Sequence, residues 1–138
     1  MSIHNVKSQL LNEQIYTLLA PSVFNPTTEK LQKRAQKYFD CNGTNVYAFI
    51  QDGEYVGIVA FDVKENIATI NDIAVKTDFR GRGIGSKLVR FIFEQFKVNI
   101  IIAETDDDAV MFYKKCGFET NKIETEFDTN RYRCQMAR

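Results

Sequence analysis

The stretch that decides the fold is residues 73–87, Ile-Ala-Val-Lys-Thr-Asp-Phe-Arg-Gly-Arg-Gly-Ile-Gly-Ser-Lys. It begins as the apolar end of a predicted strand, passes through a turn with glycine at alternate positions, and continues as a predicted helix. Such a unit directs several backbone N–H groups and the positive end of the helix dipole at one point, and glycines let a bulky anion approach the backbone. Between Lys76 and Arg90 there are five basic residues and one acidic residue, in a chain whose formal net charge is zero. The sequence therefore predicts a phosphate-binding turn.

Two common phosphate-binding patterns do not fit this turn. The Walker A pattern requires Gly-Lys followed by Ser or Thr, whereas here Ser86 precedes Lys87 and Leu88 follows it. The dinucleotide pattern requires glycine at its last position, which is occupied by Ser86 or Leu88 depending on the glycine chosen as the first. The pattern that does fit is Arg-x-x-Gly-x-Gly at residues 80–85.

The chain before this turn predicts helices followed by an antiparallel sheet. Apolar side chains in the first forty residues recur at helical spacing, which predicts two amphipathic helices separated at Pro21. The first would carry Leu10, Leu11, Ile15, Leu18 and Leu19, and the second Leu31, Ala35, Tyr38 and Phe39. After Gly43 the apolar period changes to two. Asp52-Gly53 lies between two strand-like runs and is a strong hairpin signal, because both positions tolerate positive φ. We expect a three-stranded antiparallel meander that ends at Val75.

The chain after the turn predicts a crossover and a closing hairpin. A helix over residues 83–97 followed by a buried strand over 98–103 has the spacing of a parallel strand–helix–strand unit. A short helix over 107–116 follows, and residues 118–127 and 131–136 alternate as a hairpin does. The sum is an α/β fold with a mixed sheet.

Composition limits the classes of function. A length of 138 residues fits one domain. Eighteen basic side chains against eighteen acidic ones argue against a protein that grips nucleic acid or an anionic membrane. Apolar runs are far shorter than the roughly 20 residues of a membrane span, and three cysteines without metal-ligand spacing favour a reduced, cytoplasmic setting. His4 is the single histidine, so a Ser–His or Cys–His nucleophile and a histidine-rich zinc site are not expected.

A second signature follows at residues 109–118, Ala-Val-Met-Phe-Tyr-Lys-Lys-Cys-Gly-Phe. It resembles the A-x-x-F-Y-x-K-x-G-F element of the GNAT superfamily of N-acetyltransferases, and Arg-x-x-Gly-x-Gly resembles that superfamily's pyrophosphate loop. The order of predicted elements matches over nearly the whole chain. The resemblance implies an α/β (α+β) fold with N-terminal helices, an antiparallel meander, a βαβ crossover that carries the pyrophosphate loop, and a C-terminal hairpin. It also implies one N-acetyltransferase domain over residues 1–138, with acetyl-CoA as co-substrate and no metal.

The resemblance further implies roles for individual residues. The backbone of Ile73, Ala74 and Val75 would pair with the pantetheine arm and polarise the acetyl carbonyl. The pyrophosphate would be held by N–H groups and basic side chains of the turn, which comprises Arg80, Gly81, Arg82, Gly83, Ile84, Gly85, Ser86 and Lys87. Tyr113 occupies the position of the family tyrosine that protonates the departing thiolate. A phenol with a pKa of about 10 can donate to a thiolate whose acid has a pKa of about 8.5.

The sequence leaves the general base open. Glu104 ends the predicted strand beside the expected cleft, and it is a candidate to take the proton of the acceptor amine directly or through water. Alternatively, Thr69 and Asn71 orient such a water, since strict alternation places both on the face of Ile73 and Val75.

The acceptor amine is open as well. The acidic residues 106–108 fit a cationic amine, but carboxylates at a helix N-terminus also act as caps, and Asp106 stands where the family often has asparagine. A small metabolite, a drug-like amine, a peptide N-terminus and a lysine side chain are all compatible, and neither a nucleic acid nor a membrane is an expected partner.

The apolar alternation of residues 132–136 fits pairing with a second copy in a homodimer and fits burial in the core equally well. The alternative function is a non-catalytic acyl-CoA-binding sensor or interaction module.

Overall fold

The computed structural model describes residues 2–126 and 129–138. Within these residues the helices are α1 (Glu13–Tyr16), α2 (Thr28–Asp40), α3 (Ile84–Phe96) and α4 (Val110–Cys116). The strands are β1 (Ser2–Asn5), β2 (Thr44–Gln51), β3 (Glu54–Lys64), β4 (Ile67–Val75), β5 (Ile100–Asp106), β6 (Glu119–Ile123) and β7 (Arg131–Ala137). They form one sheet in the order β1-β2-β3-β4-β5-β7-β6, in which β4 and β5 are parallel and the other described pairs are antiparallel. None of the described helices has the length and apolar composition of a membrane-spanning segment.

The meander and the crossover are confirmed. Asp52 and Gly53 join β2 to β3 with φ angles of 53° and 77°, as the Asp-Gly pair predicts. Glu65, with φ at 57°, lies in the turn between β3 and β4. The helix α3 then connects β4 to its parallel neighbour β5.

The N-terminal region differs from the two amphipathic helices expected there. Residues Ser2–Asn5 form an edge strand against β2, and α1 has four residues. The segment Thr17–Ser22, which contains Pro21, is a 3₁₀ helix, whose three-residue turn does not keep the α-helical face. Leu11, which precedes α1, and Phe39, near the end of α2, are 47% and 39% exposed, although the helical pattern placed both on an apolar face. Only α2 is the expected helix, capped by Thr27, whose hydroxyl accepts from the Lys30 N–H at 3.2 Å.

Each face of the sheet carries its own apolar core. One core lies under α3 and α4 and includes Phe61, Leu88, Ile92, Ile101 and Cys134. The other lies under α1 and α2 and includes Leu10, Ile15, Leu19, Ala35 and Ile58. Two covered faces are what an α/β sheet requires to bury its apolar side chains.

The closing hairpin places its second strand inside the sheet. β7 pairs with β5 on one side and with β6 on the other, and its central residue Cys134 is fully buried. The apolar alternation of this strand therefore serves the core. The expected end of the first hairpin strand, at Phe127, lies outside the described residues.

Candidate active site

The strands β4 and β5 separate at their C-terminal ends. Their parallel pairing joins Ile67–Thr69 to Ile100–Ile102. Beyond these positions β5 continues against β7 and β4 continues against β3. In the described chain, one edge of β4 from Ile70 to Val75 thus has no strand neighbour. This gap offers unpaired backbone groups to an extended ligand, in the way that an exposed strand edge does.

The hydrogen-bond pattern of β4 shows which backbone groups face the gap. The Lys76 N–H donates to the Val56 carbonyl at 2.8 Å. Residue pairs in an antiparallel ladder alternate between hydrogen-bonded and non-hydrogen-bonded, so the preceding residue, Val75, turns its N–H and C=O away from β3. By the same alternation Ile73 faces the gap, whereas Ala74 faces β3. Two of the three residues expected to meet the pantetheine arm therefore direct their backbone groups into the gap.

The glycine turn lies directly beyond this edge of β4. Gly81 and Gly83 both have φ at 78°, and a Cβ at either position would meet no heavy atom within 4 Å. The bond from the Lys87 N–H to the Gly83 carbonyl, at 3.0 Å, begins the backbone ladder of α3. The N–H groups of residues 84–86 precede that ladder and point out of the helix end. The turn thus combines open space with backbone donors, as an anion site requires.

Basic side chains surround the turn as the sequence predicts. Arg80 donates through Nε to the last carbonyl of β4 at 3.4 Å. The Arg82 guanidinium lies 4.9 Å from the centre of the Phe79 ring, and Lys87 Nζ lies 5.8 Å from the centre of the Phe49 ring. The cation–π contact with Phe79 keeps Arg82 beside the turn, whereas Lys87 extends from α3 toward Phe49 on β2.

Gly85 has a different role from the other two glycines of the turn. A Cβ at this position would lie 2.5 Å from Cε1 and 2.6 Å from Cζ of Phe112 in α4. Glycine leaves room here for the Phe112 ring, which would have to shift if a Cβ were added, while the positive φ of Gly83 shapes the turn itself. The motif therefore encodes both a binding turn and a helix–helix contact.

Tyr113 is buried in the core under α3 and α4. Its ring packs edge-to-face against Phe112 and Phe118, with centroid distances of 5.3 Å and 5.1 Å. Burial raises the pKa of the Tyr113 phenol above its ordinary value, and the neighbouring Cys134 adds to this. The phenol therefore keeps its proton at neutral pH, and it is a weaker acid than an exposed tyrosine.

A β-bulge changes the faces of β4. Asn71 is an extra residue between two positions paired with β3, so Asn71 and Asp72 both face α2. The prediction that Thr69 and Asn71 share the face of Ile73 and Val75 is wrong. Thr69 and Asn71 line a cavity on the α2 face, whereas Val75 is part of the opposite core and Ile73 packs against that core.

This cavity has a volume of about 490 Å³ and lies between α2 and the separating strands. Its lining includes Asn71 on β4 and Ile102, Ala103 and Glu104 on β5. Tyr113 belongs to the core on the other face, together with Val75 and Ala103. The two candidate catalytic side chains, Glu104 and Tyr113, therefore lie on opposite faces of the sheet.

A buried ionic network beside the cavity was not anticipated from the sequence. Asp72 accepts from Arg34 Nη1 at 2.9 Å and 3.0 Å, and it also accepts from the Tyr38 hydroxyl. Asp72 and Tyr38 are only 5% and 4% exposed. Burial, followed by the Asp72 carboxylate, raises the pKa of Tyr38. A single charged residue within an apolar strand was the available signal, and the network fixes α2 against β4.

The acidic run after β5 mainly organises the local backbone. Asp106 Oδ1 accepts from the N–H groups of Asp108 and Ala109 at 3.0 Å and 3.1 Å. Asp107 accepts from the Tyr132 hydroxyl at 2.7 Å and from the Asn130 amide at 3.1 Å. The first carboxylate thus caps the turn that leads into α4, and the second ties this turn to the closing hairpin.

Comparison with known proteins places this architecture among acetyltransferases. Residues 42–120 match the family model described as an acetyltransferase (GNAT) domain. The chain is 35% identical over 85 residues to an uncharacterized N-acetyltransferase of Methanocaldococcus jannaschii, and this match covers 52% of the chain and 38% of that protein. The chain thus spans well under half the length of this curated relative.

Solved structures with the same architecture cover nearly the whole chain. An aminoglycoside 6′-N-acetyltransferase complexed with coenzyme A has a TM-score of 0.80 at 14% identity, covering 99% of this chain and 97% of that one. The ribosomal-protein-S18-alanine N-acetyltransferase from Escherichia coli has a TM-score of 0.72 at 18% identity, covering 99% and 92%. At these identities the likeness concerns the fold, and it confirms the mixed α/β sheet expected from the sequence.

Proposed function

The chain belongs to the acetyltransferase (GNAT) family, and on that premise we propose that it transfers the acetyl group of acetyl-CoA to a primary amine by direct attack in a ternary complex. The observation that carries this proposal is the parting of β4 from β5 beside the glycine turn. An attacking amine and a departing thiolate need a proton acceptor and a proton donor near the same carbonyl carbon. The positions of Glu104 on the α2 face and Tyr113 on the opposite face support these two roles.

The glycine turn and the edge of β4 hold acetyl-CoA in this proposal. The pyrophosphate binds the N–H groups of residues 81–86, and Arg80, Arg82 and Lys87 neutralise its charge. The pantetheine arm runs along the gap and pairs with the backbone of Ile73 and Val75, as an added strand would. The thioester then lies where β4 and β5 part.

The reaction exchanges one bond to the acetyl carbon for another. The amine nitrogen attacks the thioester carbonyl from the α2 face, and Glu104 accepts a proton from this nitrogen directly or through a water. The Val75 N–H, which points into the gap, stabilises the oxyanion of the tetrahedral intermediate. The carbon–sulfur bond then breaks, and Tyr113 donates its proton to the thiolate, so the products are an amide and CoA. Because both substrates are held together, no covalent enzyme intermediate is required.

The first test is calorimetric titration of the protein with acetyl-CoA, with CoA and ATP as comparisons. Micromolar binding of acetyl-CoA with much weaker binding of ATP supports the assignment of the turn. A panel of primary amines then tests turnover through release of free thiol. Binding without acetylation of any amine would favour the non-catalytic acyl-CoA-binding module, and absence of binding would contradict both functions.

The role of Tyr113 is tested with a matched pair of variants. Tyr113→Phe should lower kcat by about 100-fold, in the usual range for loss of a general acid, with little change in the Kd of acetyl-CoA. Tyr16→Phe removes the hydroxyl of another buried tyrosine, one that accepts from Gln32 on the α1/α2 side, and it should leave kcat unchanged. An unchanged kcat in Tyr113→Phe, with chemistry shown to be rate-limiting, contradicts the acid role.

A further inference from the structure

Some of the charged side chains that line the cavity beside the gap already have hydrogen-bond or ion-pair partners within the protein, and others do not. Asp62 accepts from the Thr44 hydroxyl at 2.7 Å and from the Asn71 amide at 3.1 Å. Arg34 is occupied by Asp72. The protein's own donors and acceptors therefore engage one anion and one cation of the lining.

Three charged side chains of the same cavity remain available. They are Glu104 on β5, Arg133 on β7 and Lys37 on α2. Across residues 2–126 and 129–138 none of the three forms an ion pair within 4.0 Å. The cavity thus offers one carboxylate and two cations to whatever enters it.

The sheet register fixes how two of these charges are arranged. Glu104 and Arg133 are directly opposite each other in the antiparallel pair of β5 and β7, so their side chains emerge on one face with Cβ atoms about 5 Å apart. Lys37 approaches the same cavity from α2, which covers that face. A carboxylate and a guanidinium side by side, in a cavity that an ammonium also lines, match a ligand that carries an amine and a carboxylate close together.

We propose that the acceptor is a small amino acid, whose amine is held by Glu104 and whose carboxylate is held by Arg133 and Lys37. This inference rests on the proposed function, since it takes Glu104 as the group next to the reacting nitrogen. A guanidinium binds a carboxylate through two parallel hydrogen bonds, which orients the amine as well as holding it. The volume of about 490 Å³ suits a small molecule.

The same charges disfavour the other acceptor classes. A polyamine or another purely cationic acceptor would be attracted by one available carboxylate, Glu104, and repelled by two cations, Arg133 and Lys37. A lysine side chain or a peptide N-terminus carries no carboxylate next to its amine, so it would leave Arg133 and Lys37 without a partner. Specificity in this cavity therefore comes as much from repulsion of cations as from attraction of the carboxylate.

The test compares matched acceptors that differ only in the carboxylate. Acetylation of glycine, threonine and phenylalanine is measured against their carboxamides at saturating acetyl-CoA, each at a pH where the amines are equally deprotonated. We expect kcat/KM to be at least tenfold higher for the amino acid in one or more pairs. Carboxamides that match or exceed their amino acids in every pair, or polyamines that exceed both, would overturn the inference.

Variants of the two cations then assign the preference to this cavity. Arg133→Gln and Lys37→Gln should each raise the KM of the amino acid by about tenfold and leave kcat/KM of its carboxamide nearly unchanged. Lys122→Gln, which removes an exposed lysine on β6 at the other face of the sheet, should alter neither value. A carboxylate preference that survives in the double variant Arg133→Gln/Lys37→Gln would refute the assignment, and an unchanged Kd for acetyl-CoA shows that each variant is folded.

Failure of the two proposals can be distinguished. If acetyl-CoA binds but no amine of either kind is acetylated, the proposed transfer reaction is wrong and the acceptor assignment is overturned with it. If carboxamides or polyamines are acetylated and amino acids are not preferred, acetyl transfer stands and the acceptor assignment alone is wrong.

Discussion

The contact between Gly85 and Phe112 provides a quantitative test of how α3 and α4 are held together. In Gly85→Ala the new Cβ would lie 2.5 Å from the ring, whereas carbon atoms in contact are about 3.5–4.0 Å apart. The ring or the helix must therefore move by about 1 Å. Overpacking of this kind costs about 1–3 kcal/mol, and the higher helix propensity of alanine returns about 0.5–1 kcal/mol. The difference lowers the free energy of unfolding by up to about 2.5 kcal/mol.

Urea denaturation followed by far-ultraviolet circular dichroism measures this loss, and kcat measures its consequence for the site. Phe112 packs against the Tyr113 ring, so displacement of Phe112 should lower kcat as well as stability. Gly43→Ala is the matched control, because a Cβ at Gly43 meets no heavy atom within 4 Å and its φ is not positive. The control should change stability by less than about 0.5 kcal/mol.

A double-mutant cycle with Phe112→Leu decides whether the clash is the cause. Leucine lacks the ring atoms that the new Cβ would meet, so in the Phe112→Leu background Gly85→Ala should keep only the helix-propensity gain of about 0.5–1 kcal/mol. The expected coupling is the overpacking cost alone, about 1–3 kcal/mol. If the two losses simply add, the close approach of α3 to the Phe112 ring does not explain the glycine, and the reasoning fails.

Three further predictions address the turn, the buried network and the phenol. Gly83→Val should weaken acetyl-CoA binding much more than Gly83→Asn in calorimetric titration, because asparagine tolerates the φ of 78° that a β-branched residue does not. Asp72→Ala should lower the free energy of unfolding by about 2–3 kcal/mol in urea denaturation, since it leaves the buried Tyr38 hydroxyl without its acceptor. In a Tyr38→Phe background, which lacks that hydroxyl, the loss caused by Asp72→Ala should be smaller. Because burial raises the pKa of Tyr113, its phenol keeps its proton above the ordinary value of about 10, so kcat should show no decline between about pH 8 and 10. A decline in that range that disappears in Tyr113→Phe would contradict a raised pKa.

The parts of the fold that were predicted correctly are those that local backbone chemistry determines. Asp52-Gly53 closes a hairpin because both residues accept positive φ, and Gly83 ends its turn for the same reason. The strand β1 was missed because it has four residues, too few to show a period, and because its partner β2 lies about forty residues away in the chain. No local pattern reports such a pairing.

The candidate site likewise contains some features that local sequence motifs indicate and others that depend on distant residues. The turn and Tyr113 belong to motifs with fixed spacing, so the sequence alone proposes them as site residues. The Asp72 network depends on a pairing between a strand and Arg34 and Tyr38 on a helix more than thirty residues earlier. The sequence shows the carboxylate in an apolar strand, but it does not show which cation and which phenol bury it.

The alternation of apolar and polar residues in β4 does not predict the bulge at Asn71. The candidate site nevertheless depends on this bulge. Ala68 and Ile70 before the bulge, and Val75 after it, all belong to the core under α3 and α4, although an uninterrupted strand would put the two groups on opposite faces. The extra residue lets β4 keep one apolar face along its whole length, and it leaves two consecutive polar residues on the other face. A bulge also increases local twist, which favours the parting of β4 from β5 where their pairing stops after Thr69. One inserted residue thus provides the polar wall of the cavity from which the amine would attack, directly beside the point where β4 and β5 part to receive the thioester in our proposal.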